Sequence, residues 1–386
     1  MQLIKTTGYV TLLASGLLSA QSHAQTDQAW DFNFHGTVNT HAVYVSCDDS
    51  GDSVAGNALL CSGDDATSVS NGYSPASFQF SAATRRNGFD INAVLAIEPG
   101  TTDNSAFNGN GDNRAYRAFF TVGNNEFGIL KAGRDYGIFG LDVVLEDMAL
   151  GGVGATASIR SPLNTSLGAA GYGYIFSDRL SQITYSKSFN NGIHADIGVF
   201  QALDSVSFGG NGYVGDSGSK RPGVHGRLKY KFSNGYISSS FYNQTVDTVN
   251  NDYSARGIDL TAALQFDDTR LAVSAFDASG LGYYGLLIDS ADVTGIPRDS
   301  SGWFTQITHK LGETKLGFNY GISKVDLAGV DTLIQVKQQT KASIGIYHTL
   351  WEIFTLSGEL SSMEAENHQG GTIKNEAISV GVAVSF

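Results

Sequence analysis

Charge, cysteine and proline are scarce in this 386-residue chain, and long apolar runs are missing. Only 16% of residues are charged, and the formal net charge is -13 with Lys and Arg in the minority. With no cationic field and its basic residues scattered, the chain is not expected to bind nucleic acid. No segment reaches about 18 consecutive apolar residues, so no transmembrane helix is expected. Five prolines leave long stretches free to donate to a sheet ladder. No collagen or heptad period is present, and no cofactor motif stands out, so no cofactor and no resident metal are expected. What is abundant is glycine and aromatic surface: 47 Gly, 22 Phe and 17 Tyr in a chain that is 41% hydrophobic. That composition excludes intrinsic disorder.

The N-terminus sets the compartment. Lys5 precedes a short, mostly apolar stretch from Tyr9 to Leu18, and the run Ser22-His23-Ala24 puts small residues, Ser22 and Ala24, at the two positions a signal peptidase reads. A signal peptide over 1–24 is expected, with 25–386 forming one mature domain in the periplasm, outer membrane or medium. Cys47 and Cys61 suit an oxidising compartment and are expected to form a disulfide, contributing roughly 3 kcal/mol on the chain-entropy scale. The alternative is a hard-cation site built from Asp48, Asp49, Asp52, Asp64 and Asp65, although the run lacks the twelfth-position Glu of an EF-hand loop.

From Trp30 onward the hydrophobic period is two. Ile378, Val380, Val382, Val384 and Phe386 share one face of the last segment, and Ala377, Ser379, Gly381, Ala383 and Ser385 share the other. Phe89, Ile91, Ala93, Leu95 and Ile97 alternate in the same way with Asp90, Asn92 and Glu98. Period alone does not separate a soluble sandwich from a membrane barrel, but connection lengths do. Tight turns fall at Asn87 and Gly88, Asn124 and Asn125, Asn190 to Gly192, Ser233 to Gly235, Asp267 and Asp268, Gly312 and Glu313, and Leu350 and Trp351. Between them lie long polar connections near 47–76, 99–113, 137–178, 203–221, 248–254, 277–300, 326–338 and 364–373. Seven turns and eight loops join sixteen strands: an all-β, antiparallel transmembrane barrel with short periplasmic turns and long extracellular loops. Aromatics sit near the expected interfaces at Trp30, Trp303, Tyr347 and Trp351.

By parity, Arg85, Arg117, Arg227, Lys229 and Arg270 point into the lumen; an outward arginine would cost about 2–4 kcal/mol at the bilayer midplane. The segment after the fifth strand is unusual, because Leu141, Val144, Leu145 and Met148 fit one face of a helix while Asp142, Glu146 and Asp147 project from it.

Gly133-Arg134-Asp135-Tyr136-Gly137 followed by Asp147-Met148 resembles the general porins of Gram-negative outer membranes. The signal peptide, the strand count and terminal Phe386 extend the resemblance over the whole chain. It implies a homotrimer of sixteen-stranded barrels whose third loop folds inward, with Arg134 in a basic cluster facing loop acids across the constriction. It also implies partners: lipid, lipopolysaccharide, and small hydrophilic solutes and ions that diffuse passively. One departure is Gln79, which stands where that family carries an arginine on the second strand. If Arg134 faces inward, Lys131 faces outward.

The expected function is therefore a water-filled pore and not an enzyme. A solute-specific porin for sugars or small carboxylates is the alternative, suggested by Tyr283 and Tyr284 and by the basic run at Arg227, Lys229 and Lys231. More distant are a barrel hydrolase, for which the scattered histidines show no signature, and an adhesin.

Overall fold

A computed structural model describes residues 28–48, 51–59, 65–100, 116–156, 165–207, 210, 212–215, 220–248, 252–285 and 287–386. The expected signal peptide and Cys61 lie outside the described residues.

Strand segments run in chain order: β1 (Asp31–Cys47), β2 (Ala66–Ser70), β3 (Ser77–Arg86), β4 (Phe89–Ile97), β5 (Tyr116–Asn124) and β6 (Gly128–Tyr136). Then come β7 (Arg179–Ser188), β8 (Ile193–Phe200), β9 (Gly223–Phe232), β10 (Gly235–Val246), β11 (Tyr253–Phe266) and β12 (Thr269–Ser279). The last five are β13 (Asp299–Leu311), β14 (Thr314–Val325), β15 (Val336–Leu350), β16 (Phe354–Asn367) and β17 (Thr372–Ser385). All pairings between these strands are antiparallel, and β17 returns to β1 from Thr37↔Ser385 to Cys47↔Asn375, which closes the sheet. Closure leaves no edge to be satisfied in lipid.

Seventeen segments make sixteen barrel strands, because β2 and β3 both pair with β1, at His41–Val45 and Asp31–Thr37 respectively. They are one strand interrupted by residues 71–76. The seven tight turns fall where the sequence placed them; at the first, Asn87 and Gly88 take φ of 49° and 81°, the left-handed pair that matches the twist of a two-residue hairpin. The last long connection is shorter than expected. Both flanking strands extend, leaving only residues 368–371 between β16 and β17.

Alternation sorts the wall. Ile378, Val380, Val382 and Val384 are exposed on the outer surface, while Ala377 and Ser379 are buried inside. In a barrel the exposed face is the one lipid covers. Trp303 and Trp351 are exposed on it, as girdle residues are. Phe386 closes the seam: its N–H and C=O pair with Gly36, at 3.0 and 2.8 Å, and its ring packs on Phe34 and Phe78.

Candidate functional site

The third long loop, 137–178, leaves β6 and turns into the barrel. Gly140 makes that turn at φ of 72°; a Cβ there would lie 2.0 Å from the Ile175 carbonyl oxygen, so only glycine fits. Its N–H donates to Asp259 Oδ2 on β11 at 2.8 Å. A short helix, α1 (Leu141–Glu146), follows, and then a 3-10 turn over Met148–Gly151. Of the larger apolar residues over 141–148, Val143, Val144 and Met148 are buried while Leu141 and Leu145 are half-buried, so the expected helical face is rotated toward Val143.

Two of the three loop acids hold the loop to the wall. Asp142 Oδ1 meets Arg227 at 3.0 Å and Lys229 at 2.7 Å, and Arg227 also binds Asp196 on β8 at 2.8 Å. Glu146 is paired with Arg270 at 2.5 Å and accepts from the Tyr236 hydroxyl at 2.9 Å. Burial would raise the Asp142 carboxyl, yet Arg227 and Lys229 outweigh it and hold it below its ordinary value. Further on, Met148 N–H donates to Gln306 on β13 at 2.8 Å. Val153 and Gly154 N–H donate to Glu359 on β16 at 2.7 and 2.8 Å. The loop thus follows the inner wall from β9 to β16. It then meets the 71–76 interruption, where Tyr73 N–H donates to the Gly152 carbonyl at 2.9 Å and Ser74 Oγ to the Leu150 carbonyl at 2.8 Å.

Asp147 has a different task from the one its position suggests. It is buried within the loop, accepting from Ala149 N–H at 2.9 Å, Ala169 N–H at 2.8 Å and the Tyr174 hydroxyl at 2.7 Å. Burial and the Asp147 charge raise the Tyr174 phenol well above its ordinary value, so it stays a neutral donor. Asp147 is the internal clasp that folds the loop back on itself.

The facing wall is β3 to β7. There Glu98 receives Arg117 at 2.7 Å and Arg179 at 2.5 Å, and both guanidinium groups lie over the Tyr136 ring, 5.2 and 4.9 Å from its centroid. Gln79, in place of the family's arginine, accepts from Arg117 at 2.8 Å. Asp135 binds Lys131 at 2.7 Å and approaches Arg117 at 3.7 Å.

Several expectations change against this geometry. Arg134 does not join the basic cluster. It is registered with Ala118 and Ser181, lies over the Tyr116 ring at 5.2 Å, and shares the outer face with exposed Phe120 and Ile183, while Lys131 and Asp135 point inward. The assignment of Lys131 and Arg134 is thus the reverse of the one the resemblance implied. Arg85 faces in but sits beside the first turn, bound to Asp90 at 2.8 Å. Arg117, Arg227, Lys229 and Arg270 are on the inner wall as parity required. Acids and bases are not separated across the lumen, because each loop acid that meets a base does so by contact. Tyr283 and Tyr284 are buried in an apolar cluster. Cys47 is disulfide-bonded. Among the described residues no group of three metal-ligating side chains gathers.

Sequence reasoning missed Glu98 as the bridge, along with Arg179, Asp135, Asp196 and Glu359. Asp196 was recoverable, since it is the direct cross-strand neighbour of Arg227.

A profile described as Gram-negative porin matches residues 9–384. Among solved structures, the outer membrane channel DcaP of Acinetobacter baumannii is 15% identical over 92% of this chain and 97% of that one, with a TM-score of 0.70. The anion-selective porin from Comamonas acidovorans is 15% identical over 93% and 100%, with a TM-score of 0.64. The trimer form of OmpT of Vibrio cholerae is 12% identical over 93% and 100%, with a TM-score of 0.53. No curated protein matches the sequence. Identities this low carry the fold alone, but the profile spans nearly the whole of a closed barrel with an inward third loop, and the chain belongs to the Gram-negative porin family of outer-membrane channels.

Proposed function

We propose that solutes pass between the third loop and the β3–β7 wall, and that this gap is the constriction of a general diffusion pore for small hydrophilic solutes and ions. The observation that carries the reading is the pair of contacts Asp142 to Arg227 and Lys229, and Glu146 to Arg270, which fix the loop as a ledge inside a closed barrel. A sixteen-stranded barrel left unobstructed would pass much larger solutes. Because those acids are neutralised in place, size filtering dominates over charge selectivity.

In this reading the mature chain is 25–386, and three copies assemble as in the trimer form of OmpT. Lipid and lipopolysaccharide surround the trimer. No catalytic step is assigned. Ser188, His194 and Asp196 do line up on the inner face, at 2.8 and 3.0 Å, but the Asp196 carboxylate is committed to Arg227 and Ser186.

A solute-specific channel is the second reading, favoured by the guanidinium–phenol–guanidinium stack of Arg117, Tyr136 and Arg179, which suits a planar carboxylate. Conductance in the presence of graded sugars and carboxylates separates the two. Linear flux with a size limit supports the general pore; saturable block by one solute class supports the specific one.

A further inference from the structure

Inward folding is not confined to the third loop. In the first extracellular loop, residues 51–59 turn back into the mouth of the barrel. Asp52 Oδ2 accepts the Thr372 N–H and the Ser53 carbonyl accepts from Asn367 Nδ2, both at 2.8 Å, which pins the loop to the β16–β17 turn. Ala55 pairs with the connection before β15, donating to the Ile334 carbonyl at 2.8 Å and accepting from Val336 N–H at 2.9 Å. The Tyr283 hydroxyl donates to the Gly56 carbonyl. Val54, Ala58 and Leu59 are consequently buried. They share one apolar cluster with Val43 of β1, Val336 of β15, Met363 of β16, Tyr172 of the third loop and Tyr283 of the sixth.

The wall members of that cluster belong to the inner face, since Val43 alternates with exposed Tyr44 and Met363 with outward Ser362. The mouth is therefore filled by dry side-chain packing along β14 to β17 and β1. A second apolar cluster, including Phe139, Ile175, Phe200, Tyr242, Phe276 and Leu287, fills it along β8 to β12. Neither cluster takes a residue from β3 to β6, on or beside which the inner side chains include Gln79, Glu98, Arg117, Lys131 and Asp135, with Lys131 19% exposed.

We infer that the extracellular half of the channel is an off-centre water path along β3–β7, and that the first loop is a second size-limiting element, a wedge that closes the β14–β1 sector. This rests on the pore reading above and adds a specificity-determining element to it. Water and hydrated solutes do not cross a sector packed by Val, Leu, Met and Tyr. Dislodging the wedge is expected to widen the entrance without altering the charged groups at the constriction.

The test uses the full-length mature protein, with heat-modifiable gel mobility confirming that each variant folds. Val54→Asp combined with Leu59→Asp places charge in the apolar cluster and expels the loop. Single-channel conductance should rise and the sugar cutoff in liposome swelling should move to larger sugars. Cysteine probes locate the path. An ionic methanethiosulfonate should block Thr121→Cys in the otherwise native chain, but should reach Met363→Cys only when the two aspartates are also present. Unchanged conductance and cutoff in folded Val54→Asp/Leu59→Asp, or ready labelling of Met363→Cys with the loop native, would overturn the inference while leaving the pore intact. Folded native protein that conducts no ions would instead remove the pore reading on which it rests.

Discussion

Replacing Asp142 by Asn tests the anchoring of the third loop most sharply. The carboxylate neutralises Arg227 and Lys229 together, and the three side chains are 5%, 14% and 13% exposed. Removing one member of a buried ion pair costs about 3–5 kcal/mol, because the remaining charge is left uncompensated. Arg227 keeps Asp196 at 2.8 Å and both bases retain some water, so the lower end, about 3 kcal/mol, applies. At 1.36 kcal/mol per decade this shifts the docked-to-undocked ratio of α1 by about 100-fold. Glu146 to Arg270, Gly140 to Asp259 and Met148 to Gln306 remain, so the loop stays attached but opens more often. Single-channel records at neutral pH should show added flicker and a reversal potential shifted toward anions. The pH dependence follows from the depressed Asp142 carboxyl. A lowered carboxyl contributes docking that is complete above its ordinary value, about 4, and is lost as pH falls through the lowered one. The native channel should thus be quiet from pH 7 to about 4 and flicker below that, while Asp142→Asn flickers throughout. A variant as quiet as the native protein at pH 7, with the same reversal potential, would refute the anchoring argument.

Three further outcomes are expected. Glu98→Gln removes the carboxylate that Arg117 and Arg179 share, leaving them Asp135 and Asp178, and should move the reversal potential toward anions, an effect that shrinks as ionic strength rises. Gly133→Ala should prevent assembly, seen as loss of the heat-modifiable band, because φ is 123° and the new Cβ would lie 2.3 Å from the Ala118 carbonyl oxygen. Cys47→Ser should weaken the hold on the first loop by roughly 3 kcal/mol, read as faster protease nicking within 51–59 while the barrel stays resistant.

The barrel was legible because its signals are local. Asn87 and Gly88 specify a turn from their own backbone preferences, and the face carrying Ile378, Val380, Val382 and Val384 declares itself by parity. Parity likewise put Arg117, Arg227, Lys229 and Arg270 on the inner wall. It failed on β6, where Lys131 and Arg134 are three residues apart and must face opposite ways; nothing in the residue types says which is inside. The structure decides it through long-range contacts, Lys131 with Asp135 and Arg134 over Tyr116. Asp142, Glu146 and Asp147 look alike in sequence. Only the fold shows that the first two meet basic residues of the wall, while the third accepts mainly from groups of its own loop, with Asn319 of β14 at 3.4 Å. The wedge was hidden for a related reason: Val54, Ala58 and Leu59 are three apolar residues in a stretch rich in glycine and aspartate, and their burial depends on Tyr283 and Met363 far along the chain.

Single-channel recording of the detergent-purified mature protein in a planar bilayer, with a salt gradient applied, tests the central claim most directly. Stepwise current increases that close in threes under voltage, with small sugars passing and large ones excluded, are the predicted result for a trimeric water-filled pore. Folded, heat-modifiable protein that inserts and yields no steps would contradict it.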